Sequence, residues 1–286
     1  MTDAPPPPAS SRAPSIFIIA GIGALLALAY WPLLRWLAQA SVHITQLSTG
    51  AVLVVFAGII CLQDSLRDRR FDPQINIPGL SLLGLGFVCL ALARHVPGAA
   101  LPLAVFSFCA SFAALIVFLF GVAGVRQFLP ALGGFFVFGL LVGLFPRLDW
   151  PLRALAAKHA GSLLAWLGVT AQLALEPGQP AELVLTVGGR LFRVATECNG
   201  FGLLTSAVLL ATILAFLYRL PWQNKAGLLL VAVPIAIVCN FMRIAAICLV
   251  APRVTWSYHL VHEVLGNLFY FAGLALIWWA ARQARD

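Results

Sequence analysis

The sequence predicts an all-α polytopic membrane protein. It would have about eight transmembrane helices, with an extracytoplasmic interfacial helix and a short β-hairpin between two of them. Three observations carry this. Hydrophobic residues are 62% of the 286 and charged residues 10%, with a mean hydropathy of +0.97. A water-soluble domain of that composition has no means of covering its surface. Apolar runs recur along the chain, each near the roughly 20 residues that a helix needs to cross hydrocarbon. One long polar stretch, residues 146–197, interrupts them.

In chain order, residues 1–15 read as a disordered tail because they are polar and hold the run Pro5-Pro6-Pro7-Pro8. Residues 16–286 form the membrane domain. Its first apolar run, Ile16–Leu37, is longer than a signal-peptide core and ends in Trp31, Arg35 and Trp36, which suit an interfacial anchor. Ala38-Gln39-Ala40 resembles a cleavage site, but the length favours a retained helix. Further runs cover about Ile44–Leu62, Ile77–Ala93, Ala100–Phe120, Phe128–Phe145, Gly200–Tyr218, Ala226–Val250 and Leu260–Ala281. Gly139 and Gly143 are a small-xxx-small pair of the kind that packs helices.

Within 146–197, Leu152–Leu175 has helical spacing and is expected to lie along the membrane surface until Pro177, Gly178 and Pro180 break it. Residues 182–195 then alternate around Gly188-Gly189, a hairpin signal whose second strand leads to Cys198.

The net charge of +8 comes from Lys and Arg scattered over short loops, which argues against nucleic acid as a partner and for topology signals and anionic lipid headgroups. Arg12, Arg67, Arg69, Arg70, Arg126, Arg219, Lys225, Arg282 and Arg285 fall in alternate segments, against Arg35, Arg94 and Arg253 in the short loops opposite and Arg147, Arg153, Lys158, Arg190 and Arg193 in the long one; the short-loop bias sets the first group in the cytoplasm. Residues 146–197 are then outside. The site is then expected on the extracytoplasmic face of the membrane.

Five of the six cysteines (Cys61, Cys89, Cys109, Cys239 and Cys248) sit inside apolar runs and read as small core residues. Cys198 instead stands where the polar stretch meets an apolar helix. There a helix N-terminus favours thiolate and water has access. On the alternating topology, Arg243 falls in the outer third of its helix, roughly 10 Å below its end. His262 begins the last helix on the same side. An Arg within a span costs several kcal/mol and is by default functional. Its bland role is a lipid or structural ion pair. Asn240, one turn earlier, suits either holding that guanidinium or capping backbone near Pro234. His262 suits proton transfer but equally an interfacial residue, and His259 competes with it. His259, His262 and Glu263 supply too few ligands for a metal site, so neither metal nor other cofactor is expected. Glu197 and Glu263 are candidates for orienting neighbours, although a carboxylate beside Cys198 opposes thiolate formation.

Three motifs in order, Cys198-Asn199-Gly200, Asn240-Phe241-Met242-Arg243 and His262-Glu263-Val264-Leu265-Gly266, resemble the Cys-x-Gly, Asn-x-x-Arg and His-x-x-x-Gly patterns of the exosortase/archaeosortase family. His rather than Arg at the last position resembles the bacterial type. The resemblance runs from about Phe128 to the carboxyl end. It implies a membrane cysteine transpeptidase in which Cys198, Arg243 and His262 are catalytic. Asn199, Gly200, Asn240 and Gly266 would support them, with Gly200 and Gly202 letting the substrate backbone approach. Its partners would be exported proteins ending in a motif of the PEP-CTERM kind, a transmembrane helix and an Arg cluster. Two other readings stay open on the residues: a non-enzymatic subunit or transporter for exopolysaccharide export, and an enzyme of the same fold that attaches lipid.

Overall fold

The computed structural model describes residues 12–43, 45–67, 73–176, 182–194 and 198–285. The predicted tail therefore lies outside the described residues up to position 11, while residues 12–15 belong to the first helix. The chain forms two compact units, one of residues 1–43 and 54–140, the other of 44–53 and 141–286.

In the first unit, α1 (Arg12–Ala29) and α2 (Trp31–His43) replace the single straight run expected from Ile16 to Leu37. They meet at a 57° bend. Pro32 explains it, since proline offers no N–H to the ladder and disfavours helix at the residue before it. Tyr30 at the bend is buried, and its hydroxyl bonds Ser107 at 2.5 Å and Ser111 at 2.9 Å. Next come α3 (Thr45–Arg67) and α4 (Ile77–His95), the latter capped by Asn76, whose side chain accepts from the Gly79 N–H at 2.9 Å.

The next helix, α5 (Ala100–Trp166), is interrupted at Gly121, with φ 70° and ψ 177°, backbone that only glycine adopts readily. The chain doubles back there. Phe106 faces Phe136, Phe108 faces Phe135, and Phe120 faces Phe128, an antiparallel register. Gly139 lies against Val105, where an added Cβ would come within 2.8 Å of the valine side chain. The two runs predicted at 100–120 and 128–145 are thus the limbs of a helical hairpin.

Among the described residues, five helices qualify as membrane spans by length and apolarity, or six with the bent pair counted as one. The count of eight is not reached on those measures. α5 holds two expected runs, and the helix from Phe201 to Leu217 is apolar but short.

In the second unit, α5 continues without a break past Pro146 and Pro151 to Trp166. No separate interfacial helix forms over Leu152–Leu175. Ala154, Ala156, Ala157 and Ala160 are strong helix formers, and the stop comes earlier than Pro177. Gly168 takes φ 78°, and the Val169 N–H reaches back to the Leu164 carbonyl at 2.9 Å, a left-handed helix end of the Schellman type. The freed chain forms a strand that the sequence reading took for helix. The sheet has order β1-β2-β3, all antiparallel: β1 (Ala171–Glu176), β2 (Glu182–Val187) and β3 (Arg190–Arg193). The predicted hairpin is its β2–β3 half, turned by Gly188 and Gly189 at φ 56° and 80°. Leu183, Leu185 and Val187 pack on Ala156, Ala157, Ala160 and Leu164 of α5 and on Ile244, Ala245 and Cys248.

The last three helices are α6 (Phe201–Leu217), α7 (Trp222–Val250) and α8 (Tyr258–Gln283). They meet through a small-residue core that includes Ala207, Ala211, Ala232, Ala236 and Ala281. Such residues let helix backbones approach closely. Tyr270 of α8 donates to Ser206 of α6 at 2.6 Å.

Candidate active site

Three chain segments converge at one end of the α6–α8 bundle: the entry to α6, the carboxy-terminal half of α7 and the first turns of α8. Cys198 Sγ lies 3.8 Å from His262 Nε2, within thiol–imidazole hydrogen-bond range. The cysteine is 8% exposed rather than openly accessible as expected. It is reached through a cleft of about 540 Å³ lined by Leu191, Phe192, Arg193, Cys198, Tyr258, His259 and His262.

The loop carrying the thiol is held from two sides. Asn240 of α7 donates to the Cys198 carbonyl at 3.1 Å and so clamps the loop backbone. Gly200 sits at φ 76°, and a Cβ there would fall 2.5 Å from Asn240. Its vacant side-chain space is therefore filled by Asn240 rather than left open for a substrate. From the other side, Asn199 donates to Asp149 Oδ1 at 2.6 Å and accepts from the Phe201 N–H at 2.7 Å. That bond satisfies one of the orphan donors at the start of α6. Asp149 is in turn ion-paired with Arg153 one turn along α5. Phe145 packs edge-on against Phe201 at 4.9 Å.

Arg243 is half-buried on α7. It stands three residues after Asn240 and four before Ile247, on one stripe of the helix. Asn240 holds the cysteine loop, while Ile244 and Cys248 pack with Cys198, and Ile247 lines a smaller cavity beside it. The face of α7 that carries Arg243 is thus the face turned to the thiol. The Tyr258 hydroxyl is within electrostatic reach of both Cys198 and Arg243.

His262 is half-buried in the second turn of α8, a helix capped by Ser257, whose hydroxyl accepts from the Leu260 N–H at 3.2 Å. Its ring lies 6.2 Å from Tyr258, and Tyr258 lies 6.5 Å from Phe192.

The other predicted residues are less central. His259 lines the cleft but pairs with Glu263 at 3.8 Å, both side chains exposed. Gly266 is one turn beyond His262, and an added Cβ would meet nothing within 4 Å. Glu197 lies outside the described residues. Among the described residues no three His, Cys, Asp or Glu side chains converge as metal ligands. Of the cysteines in apolar runs, Cys61, Cys89, Cys239 and Cys248 are buried and Cys109 half-buried.

Sequence reading missed Asp149, Phe192, Arg193 and Tyr258. Tyr258 was visible in principle, being four residues before His262 and so on its face. Asp149 had a signal too, as an isolated carboxylate closing an apolar run.

The molecule is therefore a multi-pass membrane protein that brings a thiol and an imidazole together beneath a small sheet. It belongs to the transmembrane exosortase family, whose pattern matches residues 36–279. No curated protein and no solved structure matches the chain.

Proposed function

We propose that this exosortase-family protein is a membrane-embedded cysteine protease and transpeptidase. It cleaves the carboxy-terminal sorting signal of exported proteins near their transmembrane anchor. The observation that supports this most is the 3.8 Å approach of Cys198 Sγ to His262 Nε2 in the wall of a cleft that both residues line.

In the proposed reaction, His262 takes the thiol proton as Cys198 attacks the scissile carbonyl. The peptide C–N bond then breaks. The proton passes to the departing amine, and the upstream protein stays attached as a thioester. An acceptor nucleophile, water included, gives its proton to His262 and displaces the sulfur. Arg243, charged at any working pH, neutralises the tetrahedral oxyanion or holds the thiolate. Asn240 and Asn199 keep the loop in place. The scissile bond of such a signal lies beside its anchor helix, so a thiol at a helix entry meets it at the membrane surface. We place that surface on the periplasmic side of a bacterial inner membrane, on the distribution of basic residues in short loops.

The test is co-expression with an exported protein that ends in a short motif, an apolar helix and an Arg cluster. Loss of the tail is followed by mass spectrometry of the new terminus, which also separates transfer from hydrolysis and from lipid attachment. Cys198→Ala and His262→Ala should each lower processing by at least about a thousandfold. The wild type should yield an acyl-enzyme at Cys198 that hydroxylamine releases. A Cys198→Ala protein that still removes the tail would exclude this mechanism.

A further inference from the structure

The cleft beside Cys198 is lined by three consecutive residues of β3: Leu191, Phe192 and Arg193. Side chains of successive strand residues point to opposite faces. A cleft that touches all three therefore runs along the strand's edge rather than over one face. β3 is one of the two edge strands of the sheet.

Its register fixes which backbone groups point outward. The Val194 N–H bonds the Leu183 carbonyl at 2.8 Å, and Phe192 stands opposite Leu185. Positions 194 and 192 thus aim their amides at β2, and by the antiparallel alternation Leu191 aims its N–H and C=O the other way, into the cleft. The Leu191 side chain is 66% exposed and carries little of the core. Five residues after Arg193 the same chain reaches the thiol.

We infer that β3 is a docking strand: the substrate binds as an extended polypeptide that pairs with the outer edge of β3, and its scissile carbonyl reaches Cys198. The acyl side of the peptide runs parallel to β3, because its carboxyl end must lie at Cys198 and its upstream residues back toward Arg190. Four residues of strand cover about 13 Å. Main-chain pairing supplies affinity, while the cleft walls sort side chains. This rests on Cys198 as the nucleophile.

The experiment compares two alkylating agents with the same reactive group on the full-length protein in lipid nanodiscs. Chloroacetone reports the thiol alone, and acetyl-tetraalanyl chloromethyl ketone adds an extended peptide. In both, Cys198 Sγ displaces chloride to form a thioether, its proton leaving by way of His262. Modification at Cys198 is followed by mass spectrometry.

The peptidyl reagent should be the faster in the wild type. Leu191→Pro removes the outward N–H and should slow it about fivefold while leaving the chloroacetone rate within roughly twofold. Leu191→Ala trims a cleft wall but keeps the N–H, so it should slow the peptidyl reagent less than Leu191→Pro does. A peptidyl reagent with N-methylated alanines should lose a similar factor on wild-type protein, which needs no altered fold. Docking on β3 is overturned if Leu191→Pro leaves the peptidyl rate unchanged or slows both reagents equally. It is overturned as well if N-methylation has no effect. Failure of the nucleophile itself reads out separately, as a chloroacetone rate that His262→Ala does not change.

Discussion

Asn199 shows how much of this site depends on side chains that do no chemistry. It is 2% exposed, and both ends of its amide are used, one on Asp149 and one on the Phe201 N–H. Removing the acceptor leaves a buried amide unsatisfied, at a cost of about 1–3 kcal/mol. Asp149→Ala should therefore lower Tm and slow chloroacetone alkylation at Cys198 together. Asp149→Asn keeps an acceptor oxygen and should recover most of both. An Asp149→Ala protein with wild-type Tm and reactivity would mean that the loop is held by Asn240 alone. The motif order made Cys198, Asn240, Arg243 and His262 legible in the sequence. Asp149 was legible only as an isolated carboxylate, because no local pattern says which distant amide a carboxylate will meet.

At the scale of elements, the placement of His262 is a question of where α8 begins. Ser257 caps it, and loss of such a cap costs about 1 kcal/mol. Ser257→Ala should loosen the first turns and slow chloroacetone alkylation by a factor of roughly two to five. The ratio of peptidyl to chloroacetone rates should stay as in the wild type. An unchanged alkylation rate would show that packing, not the cap, holds the imidazole. Element existence was mostly legible, since length and apolarity suffice for a span. Element ends were not. Pro32 bends the first run, Gly121 reverses the chain, and Gly168 stops α5 before Pro177 can. Each of these is a single residue whose effect depends on a backbone angle. In a helix apolar on all sides, periodicity does not reveal which side packs. The face of α7 turned to Cys198 was therefore invisible until the neighbours were in place.

For the whole molecule, the proposed function requires the site to lie on the outer side of the bilayer. The proposed orientation, drawn from the loop charges, has residues 146–197 outside and the α6–α7 turn inside. Ser162 and Asn224 are both exposed, one on the far part of α5 and one at the start of α7. In spheroplasts, a membrane-impermeant maleimide should label Ser162→Cys and not Asn224→Cys. The reverse result would put the thiol in the cytoplasm and remove exported proteins as its substrates.

Composition alone decided that this chain belongs in a membrane, because so apolar a polymer has no stable soluble form. The order of its polar exceptions decided which residues to watch, since isolated polar groups in apolar helices are costly to keep. What only folding decided is that Cys198 and His262, 64 residues apart, stand 3.8 Å from one another, with an edge strand running into the same cleft. Alanine faces let three helices pack closely, and Asn240 on the cysteine loop and the Ser257 cap of α8 fix the two segments that carry the pair. Packing of this kind acts between segments and leaves no trace in the local pattern of any one of them.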